Sequence, residues 1–243
     1  MSKTEKKPLI SQEDIMNILD SCYQKVLDGI PLVSPTVEQM ANDYLEKYST
    51  KEYAMKAMIN NQIIKCTTSG FITGFGGFIT MPVAIPANLS SVLYVQMRMI
   101  ACCAYMAGFD LKSDQAQTFV YACLAGVGLN GALKQVGIKF GTKLAQNLIN
   151  KIPGKVLVKI NQKVGFRFIT KFGTKGLVNL GKLLPGIGAV IGGGLDLVET
   201  KIIGARAYKW FLQGDFSSND KSAVECIVEI EETINDSEVL NAN

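Results

Sequence analysis

Residues 151–175 read Lys151-Ile-Pro-Gly-Lys155-Val-Leu-Val-Lys159-Ile-Asn-Gln-Lys163-Val-Gly-Phe-Arg167-Phe-Ile-Thr-Lys171-Phe-Gly-Thr-Lys175. A cation stands at every fourth position: Lys151, Lys155, Lys159, Lys163, Arg167, Lys171 and Lys175. Val156, Leu157, Ile160, Val164, Phe168 and Phe172 fill the spaces. Helix neighbours lie about three and four residues apart, so this spacing predicts helix with one basic and one apolar side. Four residues advance about 400° on an ideal helix, so the charges drift by about 40° per step. Gly165, Gly173 and Gly176 are therefore expected to break the ladder into shorter helices, each with its own basic stripe.

The ladder lies in a stretch of one sign. Between Asp114 and Asp196 there are eleven basic residues and no acidic one. Residues 1–65 hold eight basic and nine acidic side chains, and residues 196–243 hold four and ten. A net charge of +4 therefore conceals a sorting of charge along the chain. The acidic C-terminal piece could neutralise the basic middle within the fold, or the basic middle could meet an external anion. There is no histidine. That removes the usual general base and the commonest metal ligand, and excludes Ser-His-Asp and Cys-His mechanisms. The six cysteines contain no C-x-x-C pair and no plausible zinc set. No metal and no cofactor is expected. Cys102-Cys103 reads as core packing, with lipidation as the alternative should it lie near a membrane. Met1 to Asp14 has no long apolar run and does not read as a secretory signal, so a reduced, cytoplasmic setting is expected.

Charge is absent from 32 residues, 66–97, and from 19 more, 115–133. Both runs have the length of a bilayer span, about 20 residues. Pro82 and Pro86 interrupt the first, and Gln115, Gln117, Thr118 and Asn130 dilute the second. Buried helical hairpins are thus expected ahead of transmembrane helices. Gly70 and Gly74 stand one helical turn apart, as do Gly137 and Gly141, and Gly188 and Gly192. Small residues at that spacing let helices approach closely. Gly70, Gly74, Phe75, Phe78, Gly188 and Gly192 mark the segments expected to insert if the protein enters a bilayer. No glycine cluster forms a nucleotide loop.

Ser11 and Asp14 fit a capping box before an amphipathic helix that ends near Gly29. Ser34-Pro35 reads as the N-cap and first position of a second helix, and Ser49-x-x-Glu52 as the start of a third, running to about Lys65. Leu89 to Ala107 is a long apolar helix whose one charge is Arg98. That arginine is expected to snorkel at the helix edge or to pair with Asp196 or Glu199. A helical pair over 115–150, an apolar helix ending near Leu212 and an acidic last helix over 222–234 complete the chain. The expectation is an all-α fold: a single domain of packed helical hairpins around a Gly-rich apolar core over residues 11–234, with flexible ends at 1–10 and 235–243.

Gly76-Gly-Phe-Ile-Thr-Met-Pro-Val-Ala-Ile-Pro-Ala-Asn-Leu89, Tyr94-Val-Gln-Met-Arg-Met-Ile-Ala101, Ile160 to Lys171 and Leu184 to Asp196 together resemble the bacterial EcsC protein family. The resemblance spans roughly residues 15–215 in order; Ala107-Gly108 stands where a Tyr-Gly pair is expected. A looser similarity links the proline-flanked hairpin and Pro-Gly-x-Gly-Ala to helical domains attached to membrane-associated GTPases. The resemblance implies an all-helical fold and carries no catalytic residues.

The leading functional expectation is a non-enzymatic protein at the cytoplasmic face of a membrane, peripherally attached through the basic ladder, with integral insertion or a role beside a transporter left open. The alternative is a soluble module that docks an acidic protein. Nucleic-acid binding ranks lower: Phe140, Phe166, Phe168 and Phe172 fit an apolar helix face, and arginine is scarce. An enzyme ranks last. Asp196 and Glu199 are three apart, but an ion pair with Lys201, Arg206 or Arg98 accounts for them.

Overall fold

The computed structural model describes residues 11–67, 87–138, 149–172 and 194–217. Eight α-helices cover most of these: α1 Gln12–Asp28, α2 Val37–Lys47, α3 Lys51–Thr67, α4 Ala87–Met106, α5 Asp114–Ala125, α6 Asn130–Gln135, α7 Gly154–Phe172 and α8 Gly194–Tyr208. A π-helical turn, Lys209–Gln213, extends α8. No strand occurs among the described residues; Ile30 and Ser34 form an isolated bridge. The all-α expectation holds.

Local chemistry sets the helix starts. Asp14 accepts from the Ser11 backbone N–H at 2.9 Å, and the Ser11 hydroxyl accepts from the Asp14 N–H at 3.0 Å, closing the expected capping box. The second helix starts later than expected. Thr36 is its N-cap and boxes with Gln39. Ser34 is occupied elsewhere: its hydroxyl lies 2.7 Å from the Tyr94 hydroxyl and accepts from the Ile30 N–H. Pro31 and Leu32 form the centre of a turn closed by Val33 N–H to the Ile30 carbonyl at 3.0 Å. Leu32 has φ of 64°, the sign a type II turn demands at its third position. The third helix is capped by Thr50, one residue after the expected Ser49.

The helices stack in layers around α4, which contacts α1, α2, α3, α5 and α8. Residues 91–104 are buried on every side, Tyr94, Val95, Met97 and Met99 to Ala104 among them, with Ser91, Gln96 and Arg98 as the polar members. A helix buried on every side belongs inside a core. Around α4, helix α3 packs against α2 and α8, and α7 packs against α1 and α5. One continuous apolar cluster runs from Ile15 to Phe216. It is filled by Met, Ile, Tyr and Cys side chains and by an aromatic group of Phe109, Phe119, Trp210, Phe211 and Phe216. Gly204 supplies one close helix approach, since a Cβ there would lie 2.8 Å from Ile59 Cγ2. The segments around Gly70, Gly74, Phe75, Phe78, Gly188 and Gly192 lie outside the described residues. So do Gly141, the end segments 1–10 and 235–243, and the acidic helix expected over 222–234. Gly137 has φ of 77° and ends α6 in a turn, so it is not a mid-helix packing position.

The ladder does not break at Gly165. Helix α7 continues through it from Gly154 to Phe172. A Cβ at Gly165 would lie 2.6 Å from Gln12 Cγ, so the glycine admits the start of α1 rather than interrupting the helix. Gln12 Nε2 donates to the Gln162 carbonyl across the same contact.

Candidate functional site

Helix α7 is held from one side. Leu157, Ile160, Val164 and Phe168 are buried, as the apolar stripe requires, where the helix meets α1 and α5. Polar contacts brace that support. The Tyr121 hydroxyl donates to Asp20 Oδ1 at 2.7 Å and Gln117 Nε2 donates to the same oxygen at 2.9 Å, joining α5 to α1. Tyr23 packs edge-on against Tyr121 with ring centroids 5.7 Å apart.

On the outer side, Lys151, Lys155, Lys159, Lys163 and Arg167 are all exposed. The drift of about 40° per step turns the direction through about 120° from Lys155 to Arg167, so these four cations spread around the exposed side of the helix. Among the described residues none of the five has a carboxylate partner. The first turn of α7 holds no acidic residue, and Lys155 sits there instead. Cations at a helix N-terminus oppose the macrodipole and are mildly destabilising. Stability alone does not account for this charge pattern. Lys171 belongs to α7 by backbone, but its side chain and all of Lys175 lie outside the described residues.

Two apolar side chains share the outer face. Phe166 is 66% exposed and Val158 is 56% exposed. The expectation for Phe166 was core, and it is corrected here. Phe168 is buried, whereas Phe166, two residues earlier, points to the opposite side. The sequence held the signal: Phe166 follows Lys159 by seven residues, which is about 20° from the same direction on a helix.

Arg98 neither snorkels nor pairs with Glu199. It is 4% exposed, and its Nη2 donates to the Pro35 carbonyl at 2.8 Å. Desolvation lowers its pKa, while the nearby Tyr94, Cys102 and Tyr44 favour its charged form. The Asp196 side chain lies outside the described residues, so the pairing proposed for it does too. Arg206 takes a comparable role: its Nη1 donates to the Cys123 carbonyl at 2.6 Å, capping the end of α5. Gly126, with φ of 68°, leaves room for that guanidinium at 3.1 Å from where a Cβ would stand. Gln96 Nε2 donates to Thr200 Oγ1 at 2.9 Å, joining α4 to α8 beside Glu199.

Cys102 and Cys103 are fully buried, so packing is their role and they are closed to lipidation. Burial raises both thiol pKa values and pushes Cys22 up to about 12. Among the described residues no group of three or more Cys, Asp or Glu side chains is placed to hold a metal ion. No helix among them is long and apolar enough to cross a membrane.

These features define an all-helical protein whose outermost described helix carries a one-signed, unpaired basic face. Residues 5–211 match the EcsC protein family, and the chain belongs to that family. No curated protein and no solved structure matches the chain.

Proposed function

We propose that this protein works without catalysis at the cytoplasmic face of a membrane, recruited peripherally by the basic face of α7. The observation that carries the reading is the exposure of Lys151, Lys155, Lys159, Lys163 and Arg167 with no described carboxylate beside them. A cation close to an anionic leaflet contributes up to about 1 kcal/mol. Three or four on one face suffice for reversible, salt-sensitive attachment. The helix is also rigidly backed by α1 and α5, so the face is presented without a folding cost on binding.

The test is co-sedimentation of the purified protein with neutral and with anionic vesicles, at low and high salt. Binding to anionic vesicles that high salt releases supports the reading. No binding to either vesicle under any condition overturns it and leaves a soluble module with an acidic protein partner as the better account.

A further inference from the structure

We propose that α7 lies flat in the interface of an anionic bilayer, with Phe166 and Val158 buried below the headgroups and the flanking cations at phosphate level. This inference rests on the membrane reading above and adds a hydrophobic anchor to it. It also moves the point of insertion from the glycine-rich segments to the outer face of α7.

The geometry is that of an interfacial helix with its two faces put to different uses. The inner face, Leu157, Ile160, Val164 and Phe168, is already spent on the core. The outer face then carries a second, smaller apolar line. Val158, Gln162, Phe166 and Thr170 follow one another at four-residue steps beside the line Lys155, Lys159, Lys163 and Arg167. Gln162 and Thr170 are exposed as well, so nothing described stands between the phenyl ring and solvent. A single exposed apolar residue needs no explanation. Here two of the five large exposed hydrophobics of the described surface fall on α7, as Tyr53 and Ile64 do on α3, and those of α7 share its exposed side with Lys155 and Lys159.

The choice of cation points to lipid over protein. The described ladder has four lysines and one arginine. Lysine is depleted from protein–protein interface cores, where arginine is enriched. Diffuse attraction to headgroups needs no bidentate geometry, and long lysine stems reach phosphates while their methylenes sit in the apolar boundary. An aromatic side chain amid lysines is the composition of helices that lie in the interface plane. The face carries no carboxylate to be repelled by an anionic leaflet.

The experiment measures partition onto vesicles of phosphatidylcholine with phosphatidylserine for the native chain, Phe166→Ala and Phe166→Trp. Burial of a phenyl ring in the interface predicts that Phe166→Ala binds about tenfold more weakly. Phe166→Trp should bind as well as the native protein, with emission that shifts to the blue on binding and is quenched by brominated acyl chains. Trp210 is 1% exposed and contributes a constant background. Because Phe166 is largely exposed, both variants should unfold at the native midpoint, which separates lost anchoring from lost fold. Equal partition of the native and Phe166→Ala proteins, or tryptophan emission unmoved on vesicles that do bind, overturns the anchor and leaves electrostatic attachment standing. Failure of the native protein to bind overturns both.

Discussion

Neutralising the ladder should weaken membrane binding and strengthen the fold at once. The perturbation is the fourfold variant Lys155→Gln, Lys159→Gln, Lys163→Gln and Arg167→Gln. Glutamine matches lysine and arginine closely in helix propensity, so the change is mainly electrostatic. At about 1 kcal/mol per cation near an anionic leaflet, four lost charges amount to about 4 kcal/mol, or roughly a thousandfold in partition. Folding stability should move the other way. Lys155/Lys159, Lys159/Lys163 and Lys163/Arg167 are like-charge neighbours one turn apart, with no carboxylate partner among the described residues. Each such pair costs about 0.2–0.5 kcal/mol, so the variant should gain about 1 kcal/mol. Urea denaturation followed by circular dichroism reads the stability, and vesicle co-sedimentation reads the binding. Native-like partition by this variant would remove the ladder from the mechanism. A loss of stability would refute the structural premise, because it would mean the cations have partners in the folded chain.

Three further outcomes test the architecture that presents the ladder. Gly204→Ala should destabilise by about 1–3 kcal/mol in urea denaturation, because its methyl group meets Ile59 across the α3–α8 contact. Arg206→Met should cost about 1.5–3 kcal/mol, the worth of a hydrogen bond to a charged group, by taking the cap from the Cys123 carbonyl. The Asp14 carboxyl is held below its ordinary pKa of 3.8 by the Ser11 hydroxyl and backbone N–H. A carboxyl depressed in the folded state stabilises fully above its unfolded pKa and loses that contribution as pH falls through the folded value. The protection of the first-turn amides of α1, taken relative to their intrinsic exchange rate at each pH, should therefore fall as the pH is lowered below 3.8, and Asp14→Ala should show the lower protection at neutral pH.

Most of the fold could be read because its signals are local. The Ser11–Asp14 box, the apolar faces of α1 and α2 and the buried run of α4 each follow from residues within a few turns of one another. The errors arose where a distant partner decided the matter. Ser34 looks like a cap by sequence, yet Tyr94, sixty positions on, engages its hydroxyl, and the cap passes to Thr36. Gly165 looks like a helix breaker, yet its small size serves Gln12 at the far end of the chain. A glycine in a helix interior costs about 1 kcal/mol relative to alanine. That cost does not stop a helix whose neighbouring turns bury Leu157, Ile160, Val164 and Phe168. Arg98 looks like half of an ion pair because a buried charge needs compensation; a backbone carbonyl and phenol groups supply it instead.

The candidate site was legible as a charge pattern but not as a surface. Spacing places Lys155 to Arg167 on one side of a helix; it does not say whether that side meets acidic residues of the same chain. Only the packing of α1 and α5 beneath α7 decides which side is left outward. The same packing converts Phe166 from an assumed core residue into an exposed one. With Leu157, Ile160, Val164 and Phe168 centred inward, the ring at position 166 has to point outward, close to the direction of Lys159. An exposed phenyl among unpaired cations adds nothing to a helix already anchored by its inner stripe, and like charges one turn apart weaken that helix. Both features become favourable together when an anionic, apolar medium covers the outer face. That convergence favours a bilayer over an acidic protein, because a bilayer offers phosphate and hydrocarbon side by side along one boundary.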